Sequence, residues 1–184
     1  MEKTSAKNII TDSRSSVKIT MTALFAALCC IATMVIQIPT PTNGFINLGD
    51  CIVLRSGYLL GPVYGALAAG IGSMLADILS GYAYYAPATF IIKAVMAVCA
   101  YYLYKALTGK KSKSGKTSVM SHIAPVISAF VCEIIMIAGY FAFSAVILGA
   151  GLGAVDGIPG NIVQGVAAII ISTILHELIK AIKI

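Results

Sequence analysis

The sequence predicts an all-α integral membrane protein, a bundle of six transmembrane helices with the N- and C-termini cytoplasmic. Three observations carry this. Of 184 residues, 59% are hydrophobic and only 11% are charged, against about 25% charged in an average soluble domain, and the mean hydropathy is +0.93. Gly- and Pro-containing stretches divide the chain into apolar runs, most of them near the roughly 20 residues that cross a hydrocarbon core. The basic residues are clustered: Lys3, Lys7, Arg14 and Lys18 precede or open the first run, Lys105 to Lys116 surround one polar loop, and Lys180 and Lys183 close the chain. Such clustering follows the positive-inside rule. It explains the pI near 9.1 without a nucleic-acid partner.

The elements follow in order within one membrane domain, 1–184, multi-pass in the cell membrane. Residues 1–16 read as a cytoplasmic tail and 17–37 as the first helix. The run from Ile19 to Ile38 is too long for a signal-peptide core and lacks a small-x-small cleavage end, so it is expected to be retained. "IPTPTNGFINLG" reads as a loop. The second helix, 50–60, is short and stops at Gly61-Pro62. A stretch of that length spans only about half the core at ~1.5 Å per residue, so a five-helix count with one re-entrant segment stays open. Helices at 63–80, 87–107, 121–148 and 158–179 complete the set. The loops at 38–49, 81–86 and 149–157 hold no Lys or Arg and are expected outside.

Ionisable residues inside membrane helices face a cavity or one another. On this topology Asp77, Lys93, Glu133, Tyr140, Asn161 and Gln164 all fall in the outer half or at mid-depth, beneath the loop that carries Tyr82, Tyr84 and Tyr85. That pattern predicts a pocket open to the outside, with aromatic walls and a few fixed polar groups. Competing structural readings apply to each group. Asp77 and Lys93 would form an ion pair, Asn161 and Gln164 would be interhelical glue, and the tyrosines would be an interfacial belt. Arg55 would pair with Asp50 or snorkel towards headgroups. Glu133 has no basic residue in its own helix and reads as functional.

Small residues recur four apart at Ala23 and Ala27, and again at Gly65, Ala69 and Ser73. Either row would serve close packing within the bundle or docking to a separate membrane protein. The five cysteines are scattered in apolar runs without metal-ligand spacing, so neither a metal nor a cofactor is expected. "TGKKSKSGKTS" lacks the upstream glycine of a phosphate-binding loop. His122 and His176 are expected at cytoplasmic helix ends, with His176-Glu177 solvated. No nucleophile–base pair emerges, so the chain reads as a binding module and not an enzyme.

In this order and spacing, "INLGD", "GYLLGPVYGALAAGIGSMLADILSG", "PATFIIKAVMAV", "EIIMIAGYF", "IPGNIVQG" and "ALFAALCC" resemble the substrate-binding S components of energy-coupling factor (ECF) transporters. The likeness covers nearly the whole chain. It implies an outward site closed by the first loop, with Asn47, Asp77, Tyr85, Lys93, Glu133, Tyr140, Asn161 and Gln164 near the substrate. It further implies docking through Ala23 and Ala27 onto a transmembrane T component driven by two cytoplasmic ATPases, within membrane lipid. Asp50 would lie where the capping loop joins the bundle. The motif set is closest to the hydroxymethylpyrimidine and vitamin B6 importers, with riboflavin-type members nearby. The ligand implied is a vitamin or precursor, a small nitrogen heterocycle. Without Trp, stacking would come from Tyr or Phe. A ligand-free membrane scaffold and a small intramembrane enzyme using Glu133 or Asp77 with Lys93 are the rival readings.

Overall fold

The computed structural model describes residues 2–39, 45–109 and 120–181, and side chains from residue 15 onward. Five long helices make the fold: α1 (Glu2–Val35), α2 (Gly49–Leu79), α3 (Ala86–Thr108), α4 (Met120–Ala142) and α5 (Ile158–Ala181). Each contains a stretch long and apolar enough to cross a membrane. The helix α1 starts well before residue 17, within the segment expected as a tail. Two short strands, β1 (Ile38–Pro39) and β2 (Phe45–Ile46), pair antiparallel and turn part of the first loop into a hairpin. The expected fifth helix, 121–148, ends as α4 at Ala142 and continues as a π-helical turn, Phe143–Ile147. A 3-10 turn over Gly151–Gly157 leads into α5. The lysine-rich loop at 110–119 lies outside the described residues.

The expected second and third helices correspond to the two arms of α2, which meet at a non-helical break at Gly61. The element is folded back on itself at this break. Gly61 holds φ +83°, a left-handed conformation that glycine adopts without steric cost, and Pro62 has no N–H to continue the ladder. Beyond the break, Ser56 Oγ donates to the carbonyl of Gly65 at 3.1 Å. In a straight helix those nine positions would stand ~13.5 Å apart at 1.5 Å per residue. The chain therefore reverses at Gly61, and Asp50 and Asp77, towards the two ends of α2, both return to the outer half of the bundle.

Packing inverts the soluble pattern. Large apolar side chains such as Ile19, Leu24, Ile91, Phe130, Ile134 and Leu178 point outward, whereas Ala68, Ala69, Ala97, Ala100, Ala129 and Ala168 are buried. Lipid solvates leucine as well as a protein core does, so close backbone approach between small residues decides which helices meet. Two equally close backbone approaches join α2 to its neighbours: a Cβ at Gly57 would stand 2.3 Å from the carbonyl oxygen of Ala97 on α3, and one at Gly72 2.3 Å from that of Ala26 on α1. The row Gly65, Ala69 and Ser73 is buried, so it serves packing within the bundle. Ala23 and Ala27 are exposed and line an apolar groove between α1 and α2, together with Ile19, Tyr64, Leu67 and Leu75.

Candidate functional site

At the outer end a cavity of about 380 Å³ opens between β2, the loop after α2, the outer half of α4 and the start of α5. Aromatic rings form much of its wall. Phe45 packs on Tyr82 with ring centres 4.9 Å apart, Tyr84 on Tyr85 at 4.9 Å, and Tyr85 on Phe143 at 5.5 Å. Tyr85 and Ser144 share a hydrogen bond of 3.2 Å, and Tyr140 and Thr89 one of 3.0 Å. The tyrosines thus serve as a wall as well as lying at the outer boundary. Six of the sequence-predicted residues line this space: Asn47, Asp77, Tyr85, Tyr140, Asn161 and Gln164. Asp77 is 5% exposed, and its Oδ2 has no hydrogen-bond partner among the described residues.

Beneath the cavity lies a layer of buried charge. Lys93 on α3 forms an ion pair with Asp50 on α2, not with Asp77 as the competing structural reading had it. Asp50 has no exposed surface, so its charge is not relieved at the loop junction; it is neutralised inside the bundle. Its second oxygen accepts from Gln164 Nε2 at 2.6 Å. Gln164 Oε1 in turn accepts from the backbone N–H of Asn47 at 3.0 Å and from Asn47 Nδ2 at 3.1 Å. Asn47 Oδ1 accepts from the N–H of Gly49 at 2.9 Å, at the first turn of α2. Lys93 also stands over the Tyr140 ring, 5.3 Å from its centre, within cation–π range.

Lys93 and Glu133 sit below the wall and do not line the cavity. Glu133 is 3% exposed, and neither carboxylate oxygen has a hydrogen-bond partner among the described residues. Its Cβ and Cγ pack against Gly165 of α5. Asp50, Thr89, Phe45 and Phe141 complete the site or its floor and were not among the expected residues. Asp50 was detectable in principle, as a charge inside an apolar run; its partner was not, because α3 lies 43 positions further along the chain.

Arg55 takes neither expected role. Its Nη1 donates to His176 Nδ1 at 2.9 Å, and its guanidinium lies 5.4 Å from the centre of the Tyr58 ring. His176 is 5% exposed, with its ring edge-on to Tyr104 at 5.5 Å, and is therefore not a solvated helix end. Glu177 instead meets His122 at 2.9 Å on the surface.

A multi-pass membrane bundle with a walled outer cavity and a few convergent polar groups has the make-up of a small-molecule binding site. The comparisons agree. The model of the family "ECF-type riboflavin transporter, S component" matches residues 13–181, and the chain belongs to that family, which is one of transporter components and not of enzymes. An uncharacterised protein of Pyrococcus woesei is 32% identical over 151 residues, 82% of this chain and 93% of its own length. A solved structure of the S component of a bacterial ECF transporter superposes with a TM-score of 0.66, covering 91% of this chain and 98% of that one at 18% identity. At that identity the likeness bears on the fold.

Proposed function

We propose that this chain is the high-affinity substrate-binding subunit of an ATP-driven importer, and that its substrate is an aromatic nitrogen heterocycle of the flavin class. The observation that carries this reading is the outer cavity itself. Tyr82, Tyr84, Tyr85 and Tyr140 offer stacking faces, while Asn47, Asp77, Asn161 and Gln164 offer hydrogen bonds to the edges of a ring system. Its volume lies in the roughly 300–1,000 Å³ range of small-molecule pockets. The unpartnered oxygen of Asp77 fits a ring N–H or a hydroxyl of a polyol chain. A tricyclic flavin uses more of this space than pyridoxine or hydroxymethylpyrimidine, the ligands to which the motifs alone pointed, and it agrees with the description of the matched family. Delivery would follow by docking of the α1 groove at Ala23 and Ala27 onto a T component carrying two ATPases. Both arms of α2 would cross, giving six crossings with the termini and the lysine loop cytoplasmic.

Protein purified alone in detergent, then denatured, should release a stoichiometric flavin detectable by visible absorbance and mass spectrometry. Titration of ligand-free protein should rank riboflavin above pyridoxine and hydroxymethylpyrimidine. A reversed ranking would restore the smaller heterocycles. Failure of the whole panel would leave the scaffold reading.

A further inference from the structure

Gln164 lines the cavity and is bonded both to the buried charge layer and to the first loop. Its orientation is over-determined. A backbone N–H can only donate, so the atom facing Asn47 N must be the amide oxygen. A carboxylate whose partner is a lysine ammonium accepts, so the atom facing Asp50 must be the amide nitrogen. The two constraints come from opposite sides and agree, so the amide cannot flip without losing both.

The hydrogen-bonding capacity can then be counted. Oε1 accepts twice, from Asn47 N and Asn47 Nδ2, which fills its two lone pairs. Nε2 gives one hydrogen to Asp50. One N–H remains uncommitted. From this we infer that Asp50, held as a carboxylate by Lys93, is a positioning residue: it locks Gln164 as a donor to the ligand and, through Oε1, pins the first loop at Asn47. The ligand atom read here is therefore an acceptor, a carbonyl oxygen or an unprotonated ring nitrogen. Asp50 itself touches no ligand; its Oδ1 is taken by Lys93, and it does not line the cavity. This inference rests on the proposed binding role of the cavity.

The test is a double-mutant cycle on the full chain in detergent. D50N/K93M removes the ion pair without leaving an orphan charge and gives residue 50 an amide that presents either polarity. Q164M removes the locked donor. Each should weaken riboflavin binding about tenfold, the size of one hydrogen bond. Combined, they should weaken it by clearly less than the product of the two single losses, because Asp50 reaches the ligand through Gln164; any residual loss beyond Q164M would report the contact of Lys93 with the Tyr140 ring. Hydrogen exchange over residues 45–48 should accelerate in ligand-free D50N/K93M, with α3 and α4 as protected as in the parent. Additive losses, or an unchanged affinity in folded D50N/K93M, would overturn the positioning role. Failure of the parent to bind any of the panel would instead sink the underlying function.

Discussion

Lys93 and Arg55 are both cations sunk in the bundle, 3% and 4% exposed, yet the protein accommodates them by different means. Lys93 is met by a full opposite charge, Asp50. Arg55 forms no salt bridge among the described residues; a histidine ring nitrogen and the face of Tyr58 receive it instead. The chemistry of the two side chains accounts for the difference. An ammonium is a compact, strongly hydrated charge that needs a charged acceptor when water is removed. A guanidinium is delocalised, weakly hydrated and disposed to stack on rings. The first arrangement builds a polar floor that can be shared with a cavity above it. The second builds a closed knot between α2 and α5, remote from the site.

The comparison breaks most decisively at Lys93. K93M removes the charged partner of the fully buried Asp50 and should destabilise the protein by about 3–5 kcal/mol, read as a large drop in thermal midpoint in detergent. D50N/K93M should recover most of that loss. A mild effect of K93M alone would mean that the bundle accommodates Asp50 without its lysine. R55M should be less severe, about 1.5–3 kcal/mol for hydrogen bonds made by a charged group, because His176 is left neutral and unpaired. Ligand affinity should stay at the parent value, since neither residue lines the cavity. An affinity loss in R55M would tie the knot to the site and erase the distinction. The smallest effect is expected at Glu133. E133Q replaces a buried carboxyl group that has no hydrogen-bond partner among the described residues with a neutral amide of the same size and should raise the midpoint slightly, by about 1 kcal/mol or less. A pronounced fall would reveal a partner for Glu133 within the floor.

Reading the chain as a sequence reached the depth of the site but not its wiring. Asp77, Tyr85, Tyr140, Asn161 and Gln164 were placed together because helix rise converts position into depth, and all five line the cavity. The partner of Lys93 stayed open between a structural pair with Asp77 and a ligand role, because depth says nothing of azimuth: the structure gives it to Asp50, and only helix rotation selects the partner. Arg55 and His176 were misread for a related reason. Their separation of 121 positions carries no local signal, and a histidine near a helix end is indistinguishable in sequence from a solvated one.

Composition, charge placement and apolar run length by themselves determined that this chain is a multi-pass helical membrane protein, because the cost of unpaired backbone and charge in hydrocarbon is set residue by residue. The Gly61-Pro62 break was equally legible, since φ and the missing N–H are local properties. Only the tertiary structure decided which carboxylate takes the lysine, which way the Gln164 amide faces and which alanine row is left exposed. Those outcomes depend on how helices are rotated about their axes, and in a membrane that rotation is set by close packing between backbones far apart in the chain.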